Sequence, residues 1–567
     1  MRKTAIRLWS LLCATVFVLA ALAGCTQPQT TAAPTDTPKP DESKPAEQTA
    51  TPVEDVSWDM EGISWKKDTS PVTLSMFVDI GWYSMQSWGN DDVSKEITRL
   101  TGVSLEVSKQ TDASQLSVMI AAANLPDLMV VENTELQIRS NNSEVAYAWD
   151  ELIKQHAPEF LELIDPSDIA NNTKEDGHFY TLKAFYSNDA EWADPRCLPS
   201  PGATGFSLRK DILAAIGNPK LESIEDLLAI YDQVHTKYPD MQIFVMNLQN
   251  RPIFAEWMGI RDWQPFLDTA SGTVKHPLNN PEAIWLDYLK LMNGLYTKGY
   301  LNPENFAYQN EQFNQVVSSG NVFSVSAPGA GSVDYINTQF FTNKIQGEQA
   351  WVKPLTWKGE SRYVSTQIGT GWTSLIISKQ CKNPERAIRF AQFLRSPQGQ
   401  KLTQWGIEGK HYTLNENKEP IPTGYYLGIP SANSLQQTGV GAAWYWQGSP
   451  LNESLFNAGI AKAQAASGAE GPAPQQSEYL KVVKESTLRI PVLSLCNPVP
   501  NTDEATINTK ITALLATGLP ELYMAKDEAE VEAKWKALYQ SAKDLGMDKL
   551  EAYYNAQYQK YKDNFAK

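Results

Sequence analysis

Aromatic side chains outside helical patterns, together with carboxylates and amides, are the residues of this sequence best suited to chemistry. The chain has 17 Trp and 23 Tyr among its 567 residues. An indole ring can stack on the C–H face of a pyranose, while carboxylate and amide groups hydrogen-bond to the sugar hydroxyls. The candidate ligand-binding residues that combine these chemistries are Trp82, Glu132, Asn133, Trp257, Trp372, Trp444 and Trp446.

Two of the candidates follow predicted strands directly. Residues 72–78 (VTLSMFV) and 127–131 (DLMVV) are short apolar runs that predict buried strands of a parallel sheet. Ligands of open parallel sheets lie at the carboxyl ends of the strands. Trp82 and Glu132 stand at those ends, so we expect both to face a ligand.

The other tryptophans are chosen for their surroundings. Trp372 lies in the glycine-rich run 369–373, and Trp444 and Trp446 are two residues apart in an aromatic knot. If that knot is extended, alternate residues point the same way and both rings share one side. For every one of these rings, and for Trp257 most of all, packing in a core is the alternative.

The sequence carries none of the common catalytic motifs. GxSxG, HExxH, SxxK with its partner motifs and a phosphate loop are all missing, and none of the five His is at metal-ligand spacing from another. We therefore predict a protein that binds without catalysis and needs neither cofactor nor metal. A carbohydrate-active hydrolase stays open as an alternative, because two facing carboxylates could be hidden among 65 acids.

The elements that must position these residues alternate between strand and helix. In the first part of the globule, strand patterns at 72–78, 103–107 and 127–131 are separated by helix patterns at 93–100 and 114–123. Strand–helix–strand order favours parallel pairing through crossovers. The predicted fold class is α/β, with a mostly parallel sheet and helices on both of its faces.

Helix start and stop signals continue this pattern along the chain. Ser223 and Asp226 form a capping box, and residues 281–298 form a long amphipathic pattern that ends at a glycine. Asn383 followed by Pro384 is a second start signal. From residue 503 onward we expect about three helices, whereas residues 411–500 show many turns and little periodicity.

Composition limits the partners and the number of lobes. About 500 globular residues exceed what one core usually holds, so we expect two lobes or more. The formal net charge of −16 argues against nucleic acid and against docking on anionic lipid. Cys197, Cys381 and Cys496 are an odd number of distant thiols, which leaves room for one disulfide without indicating which.

The N-terminus reads as a targeting segment. A basic start at Arg2, Lys3 and Arg7 precedes the apolar run 8–22, which leads to Leu-Ala-Gly-Cys25. This end resembles the lipobox of bacterial lipoproteins, in which the cysteine becomes the lipid-modified first residue. We predict a signal peptide over 1–24 and a lipidated Cys25 with a disordered Thr/Pro-rich tether over 25–70. A plain secretory peptide with an incidental cysteine, or an uncleaved anchor, is the alternative.

Several segments of the globule resemble one protein family. They are residues 122–130 (AANLPDLMV), 205–217 (GFSLRKDILAAIG), 377–412, which contains NPERA and GIEGKHY, and 535–554. With the lipobox and the tether, they look like the lipid-anchored solute-binding proteins of bacterial ABC importers, of the carbohydrate, maltodextrin-binding-like class. The resemblance covers most of residues 70–565.

The resemblance implies two α/β lobes that close on a ligand. Lobe 1 would comprise 71–204 plus 372–495 and lobe 2 would comprise 205–371 plus 496–567, with 205–208 and 370–375 as hinge crossings. The chain would capture an oligosaccharide, or a peptide as the open alternative, and deliver it to an ABC permease.

The resemblance also implies where the protein works and with what. It would act as a monomer on the extracytoplasmic face of the cell membrane, held there by the lipid on Cys25 and without nucleic acid. A surface lipoprotein with no small ligand remains a further alternative. Some relatives carry a calcium loop of alternating Asp and Asn, which this sequence lacks, so we expect no such metal site.

Overall fold

A computed structural model describes most of the chain beyond the N-terminal segment. The described residues are 63–81, 83, 87–199, 205–246, 253–260, 265–363, 365–367, 369–429, 431–466 and 472–565. Ser57–Lys567 form one compact unit. The predicted signal peptide, Cys25, almost all of the predicted tether and Trp82 lie outside the described residues. No helix in the described part of the chain is both long enough and apolar enough to span a bilayer.

Strands and helices alternate along the described chain. The strands are β1 Val72–Asp79, β2 Val103–Lys109, β3 Leu128–Val131, β4 Thr181–Lys183, β5 Gly205–Arg209, β6 Gln242–Met246, β7 Phe266–Asp268, β8 Thr273–Lys275, β9 Val322–Ala327, β10 Gln349–Trp351, β11 Ser365–Gln367, β12 Ser374–Ile377, β13 Tyr412–Leu414, β14 Pro420–Pro422 and β15 Thr487–Arg489. The helices are α1 Asp92–Thr101, α2 Gln115–Ala121, α3 Thr134–Ser140, α4 Trp149–His156, α5 Pro166–Asn172, α6 Asp189–Ala193, α7 Lys210–Ala215, α8 Ile224–Lys237, α9 Phe254–Trp257, α10 Glu282–Thr297, α11 Asn310–Val317, α12 Pro328–Asn343, α13 Pro384–Arg395, α14 Pro397–Trp405, α15 Gly424–Leu427, α16 Ser431–Thr438, α17 Trp444–Gln447, α18 Pro450–Ala466, α19 Pro472–Glu485, α20 Asp503–Tyr523, α21 Glu528–Asp544 and α22 Met547–Tyr561.

The first large sheet has the strand order β2-β1-β3-β12-β4. β1 pairs in parallel with both β2 and β3, as the strand–helix–strand order predicts. β12, which the chain reaches more than 200 residues later, pairs antiparallel with β3 and with β4. The α/β fold class is therefore confirmed, but this sheet is mixed rather than mostly parallel.

The second large sheet has the order β10-β5-β9-β6. Only β6 and β9 pair in parallel, while β5 pairs antiparallel with β9 and with β10. The expectation of a mostly parallel sheet is wrong here, because β5 runs antiparallel to both of its neighbours, β9 and β10.

Each sheet buries apolar side chains on both faces. In β1, Leu74, Met76 and Val78 point to one face and Phe77 points to the other, as the two-residue period of a strand requires. The second sheet likewise separates a large core from a smaller cluster on its opposite face. Sheets covered on both faces are the arrangement that the short apolar strand patterns predict.

The chain passes between the two cores at 183–197, at 364–374 and at 461–478, as the membership of flanking residues in each core indicates. At the first two passages, Tyr186 bridges Thr370 and the Ser187 N–H donates to the Gly369 carbonyl at 3.1 Å. Residues 205–208, which the sequence analysis predicts as the other hinge crossing, lie inside β5 in the second sheet.

The last part of the chain packs differently from the predicted lobe boundary. Tyr479, Leu480, Val483 and Leu493 belong to the core of the second sheet, although the sequence analysis assigns 372–495 to the first lobe. The turn-rich sequence over 411–500 has little periodicity, so it does not predict that these residues join the second core.

Local helix signals are accurate where they are strongest. The Asp226 N–H donates to Ser223 Oγ at 3.0 Å and the Ser223 N–H donates to Asp226 Oδ2 at 3.1 Å, so the capping box is confirmed. The helix predicted over 281–298 is α10, and the three C-terminal helices are α20 to α22.

The three thiols remain unpaired in the structure. Cys197, Cys381 and Cys496 are free and buried. Burial raises the pKa of Cys197 to about 11 and the pKa of Cys381 to about 12. Both groups are therefore neutral, unreactive thiols at neutral pH.

Candidate ligand-binding site

The carboxyl ends of β1 and β3 bring two acids together at the edge of the first sheet. Asp79, the last residue of β1, pairs in register with Val131, the last residue of β3. Glu132 follows Val131 directly. Parallel pairing thus places Asp79 and Glu132 at the same edge of the sheet, where ligands of such sheets bind.

Asp79 is the buried member of this pair, with 2% of its surface exposed. Its Oδ1 accepts a hydrogen bond from Gln110 Nε2 at 3.0 Å, whereas its Oδ2 has no hydrogen-bond partner among the described residues. Burial raises the pKa of Asp79 to about 6, and the Asn133 N–H and Gln110 offset only part of this effect.

Glu132 is the half-buried, accessible member of the pair. Its carboxylate makes no hydrogen bond or ion pair with another described residue. Burial, followed by the negative charge of Asp79, raises the pKa of Glu132 to about 7. The site therefore presents a carboxyl group without a partner among the residues that the structure describes.

Two aromatic rings lie beside the acids. Trp372 and Tyr445 meet edge to face with their ring centroids 5.7 Å apart, and Tyr83 meets Tyr445 in the same way at 5.5 Å. Burial raises the pKa of Tyr445, with further contributions from the charges of Glu453 and Glu132, which places Tyr445 close to the acid pair. A half-buried indole next to an accessible carboxylate is the combination that a sugar ring requires.

The backbone around Trp372 is fixed by hydrogen bonds. Its N–H donates to the Ala184 carbonyl at 2.8 Å, and its carbonyl accepts from Gln137 Nε2 at 2.7 Å. The same Gln137 amide donates to the Val131 carbonyl at 2.9 Å. Gln137 thus ties the second passage between the cores to the end of β3.

The structure brings some of the predicted site residues together and separates others. Glu132 and Trp372 lie in the cluster. Asn133 is exposed, and its Oδ1 accepts the Leu136 N–H at 3.1 Å as the N-cap of α3. The placement of Trp82 and the side chain of Trp444 lie outside the described part of the structure.

Two predicted ligand contacts are buried in cores, which corrects the sequence analysis. Trp257 has 0% exposure and packs against Phe206 with a centroid separation of 5.4 Å in the second core. Trp446 also has 0% exposure and stacks on Trp88 at 5.9 Å in the first core. Neither ring can touch a solute in this conformation.

The prediction for Trp446 is wrong because of the local secondary structure. Residues 444–447 form α17 rather than an extended segment. Residues two apart on a helix do not share a face, so the predicted common side for Trp444 and Trp446 does not exist.

Sequence reasoning missed four residues that shape the site. Asp79 and Gln110 each end or follow a parallel strand, so the strand-end rule that selected Glu132 also indicates them. Tyr83 follows β1 closely and shares the strand-end signal that selected Trp82, whereas Tyr445 had none, because its ring meets Tyr83 across more than 350 residues of chain. Among the described residues no group of His, Cys, Asp and Glu has the geometry of a metal site.

The acid pair makes stability depend on pH, which gives a first prediction. Because folding raises the pKa of Asp79 from 3.8 to about 6 and that of Glu132 from 4.5 to about 7, the folded state binds more protons than the unfolded state. Their contribution to stability is therefore lost as pH rises from about 4 to about 7. Asp79→Asn should gain about 1 kcal/mol relative to the parent at pH 8 and less at pH 5.

Melting temperatures at pH 5 and pH 8 measure this difference. Glu135→Gln is the matched control, because Glu135 is exposed on the neighbouring turn of α3. It should shift the melting temperature equally at both pH values. An Asp79→Asn gain that does not grow with pH would contradict the proposed burial of charge.

The structure has two mixed sheets flanked by helices, passages of chain between their cores, and polar and aromatic side chains at one sheet edge. These features define an α/β binding protein. The chain belongs to the bacterial extracellular solute-binding proteins, whose family model matches residues 92–407. A comparison with curated proteins gave no significant match.

Solved structures with this fold cover nearly the whole chain. The S. pneumoniae ABC-transporter substrate-binding protein FusA in complex with kestose has a TM-score of 0.61 and 15% identity, covering 87% of this chain and 100% of that chain. An HMO-binding, ABC-transporter-associated solute-binding protein from Bifidobacterium longum infantis has a TM-score of 0.58 and 14% identity, covering 87% and 99%. The alginate-binding protein AlgQ2 has a TM-score of 0.59 and 17% identity, covering 88% and 100%. At these identities the likeness concerns the fold.

Proposed function

We propose that this protein captures an oligosaccharide in a cleft between two lobes and delivers it, chemically unchanged, to the permease of an ABC importer. The observation that carries the proposal is the half-buried Glu132 carboxylate, unpartnered among the described residues, beside the Trp372–Tyr445 pair. Membership of the solute-binding family supports it, as do two fold relatives, one in complex with kestose and one described as HMO-binding.

The position of the cluster supports a cleft site. Trp372 belongs to the passage at 364–374, and Glu132 directly follows β3 of the first sheet. We propose one lobe around each large sheet, with residues 472–495 moved from the first lobe to the second. A ligand that touches both lobes would stabilise the closed form by its differential affinity for that form.

Binding without turnover fits the acid pair better than hydrolysis does. Glycoside hydrolases need two carboxyl groups that both reach the scissile bond. Asp79 has 2% exposure, so only Glu132 of this pair can contact a solute directly. The hydrolase alternative can be tested directly, because hydrolysis would release reducing ends.

A thermal-shift screen of the purified chain tests the proposed function. Neutral, acidic and amino oligosaccharides are offered together with short peptides, and reducing ends are assayed in the same samples. We expect at least one oligosaccharide to raise the melting temperature in a concentration-dependent way without releasing reducing ends. Stabilisation by peptides alone, or release of reducing ends, would overturn the proposal.

Anchoring through Cys25 is a separate part of the proposal and yields a second prediction. If Cys25 carries lipid, Cys25→Ser should move most of the protein from the membrane fraction to the medium. Immunoblots of the two fractions measure this change. Cys13→Ser, which lies inside the apolar run, is the matched control and should leave the distribution unchanged; equal release of both variants would contradict lipidation at Cys25.

A further inference from the structure

We propose that Arg489 is a positioning residue for the ligand-binding site, because its guanidinium fastens two passages between the cores to the second core and so confines the closing motion to a short pivot beside Trp372. The first of these passages is 183–197 and the second is 364–374. This inference rests on the proposed function, since it concerns how the two lobes close on a solute.

The two passages form one antiparallel ribbon that continues β4 and β12 out of the first sheet. Next to the paired strands, the Ala184 N–H donates to the Thr373 carbonyl at 2.9 Å. Further out, Tyr186 bridges Thr370 in the same antiparallel sense. The passage ribbon comprises residues 184–187 and 369–373. Because its two segments are hydrogen-bonded to each other, they leave the first sheet as one unit.

Arg489 binds the far end of the passage ribbon from the side of the second core. It is the last residue of β15, and the next residue, Ile490, packs against the second core. Its Nη1 donates to Ser187 Oγ at 3.2 Å, its Nη2 donates to the Ser187 carbonyl, and its Nε pairs with Asp189 at 2.7 Å. One planar guanidinium therefore binds the first passage through several donors, which fixes direction as well as distance.

The second passage leaves room for this guanidinium. β11, in the second passage, pairs in parallel with β15, so the Arg489 side chain must cross the second passage to reach the first. It crosses at Gly369, where a Cβ atom would lie 1.9 Å from Arg489 Nη1. Gly369 also has a φ of +69°, which favours glycine. Both the backbone conformation and the guanidinium therefore require a glycine at this position.

A second cation fastens the first passage further along. Lys484, in the last turn of α19, donates from Nζ to the carbonyls of Asp194 and Cys197, both at 2.6 Å. Tyr479 on the same helix belongs to the second core. Residues 187–197 are therefore attached to the second core near both of their ends, and we expect them to move with it.

The segments left to bend lie between these attachments and the first sheet. They are residues 184–186 and 370–373, and the second of them contains Trp372. Two backbone conformations in these segments are unusual, since Phe185 has a φ of +63° and Gly371 has a φ of +84°. A bulky residue is strained in the left-handed region, and such strain concentrates at switch regions. These segments are the pivot that we assign to the closing motion.

Fastening the passage ribbon matters for affinity because Trp372 belongs to the pivot. With the guanidinium in place, the ribbon has one position relative to the second core, and the indole keeps its place beside Glu132. Without it, the solute itself must restrict the ribbon, which costs binding free energy. Arg489 thus acts on the site through the backbone of the ribbon.

Hydrogen exchange followed by mass spectrometry tests the attachment in the purified chain without solute. Arg489→Ala should speed exchange about tenfold in the passage ribbon and leave β1 and α8 unchanged. Arg99→Ala is the matched control, because Arg99 makes an equally close pair with Glu96 at 2.6 Å but is 66% exposed on α1. Exchange that rises uniformly along the chain, or that stays unchanged in the ribbon, would overturn the proposal.

Titration with the oligosaccharide that gives the largest shift in the thermal screen measures the effect on binding. Arg489→Ala should weaken its affinity about fivefold, and Arg489→Lys should retain part of it, because lysine keeps the charge but not the fork of donors. Arg99→Ala should leave the affinity unchanged. Unchanged affinity in Arg489→Ala would overturn the positioning role and leave the proposed function standing. A screen in which no oligosaccharide binds would overturn both.

A second variant covers the case in which Arg489→Ala does not fold. Gly369→Ala places a methyl group where the guanidinium crosses, so it should displace Arg489 and give the same local rise in exchange. Gly177→Ala is its matched control, because Gly177 has a φ of +85° but nothing within 4 Å of the added Cβ, so it measures backbone strain alone. Equal ribbon exchange in the two alanine variants would contradict the crossing.

Discussion

Replacing Asp168 by Ala is expected to cost about 3–5 kcal/mol of unfolding free energy, because it leaves a buried cation without its partner. Asp168 has 0% exposure and pairs with Arg395, whose side chain is 13% exposed. Asp168 Oδ1 also accepts from Asn172 Nδ2 at 2.8 Å, so the substitution removes two partners at once. Among the described residues, Arg395 then keeps a 3.0 Å hydrogen bond to Gln447 Oε1, a longer contact with the Lys183 carbonyl and the charge of the nearby Glu191 carboxylate.

Urea unfolding followed by circular dichroism measures this cost. Glu478→Ala is the matched control, because Glu478 pairs with Lys481 at 2.7 Å and both side chains are more than half exposed. Exposed pairs of this kind contribute about 0–1 kcal/mol. The double change Asp168→Ala with Arg395→Met should be less harmful than Asp168→Ala alone, since both charges of the pair are removed together. Equal costs for Asp168→Ala and Glu478→Ala would contradict the burial of the pair.

The part of the fold that sequence predicts well is the part fixed by neighbouring residues. The capping box at Ser223 and Asp226, the proline start of α13 and the apolar strands β1 and β3 depend on contacts within a few residues. Their propensities and burial agree, so the local signal and the final structure coincide. The parallel pairing of β1 with β3 followed from the crossover between them.

The pairings that sequence did not predict join distant parts of the chain. β12 enters the first sheet between β3 and β4 after the chain has built most of the second sheet. Tyr479 and Leu493 join the second core after a turn-rich region without periodicity. Such long-range pairings depend on which strand edge or core surface is still exposed when the later segment packs. The local sequence of that segment does not encode this.

The same distinction applies to the site. Glu132 was predicted from the topological strand-end rule, whereas Trp257 and Trp446 were chosen as aromatic rings outside helical patterns and lie in cores. A large aromatic ring serves packing and ligand contact equally well, so its type does not decide its role. A titratable side chain at a strand end is the more reliable indicator, because burying it without a partner is costly.

Replacing Trp372 by Ala is expected to weaken oligosaccharide binding by about tenfold or more, equivalent to about 1.4 kcal/mol or more. Its half-buried indole meets Tyr445 at 5.7 Å and lies beside the Glu132 carboxylate, where a pyranose face would stack. Its backbone is held independently by Ala184 and Gln137, so truncation should remove the ring without displacing the segment.

Titration with the oligosaccharide that gives the largest thermal shift measures this loss. Trp357→Ala is the matched control, because Trp357 is also half-buried but packs on the second core, where its indole N–H meets Asp287 at 3.5 Å. Trp372→Phe should retain part of the affinity, since a smaller ring still offers an apolar face. If Trp372→Ala and Trp357→Ala bind the sugar equally well, stacking on Trp372 is wrong and the acid pair must hold the ligand without it.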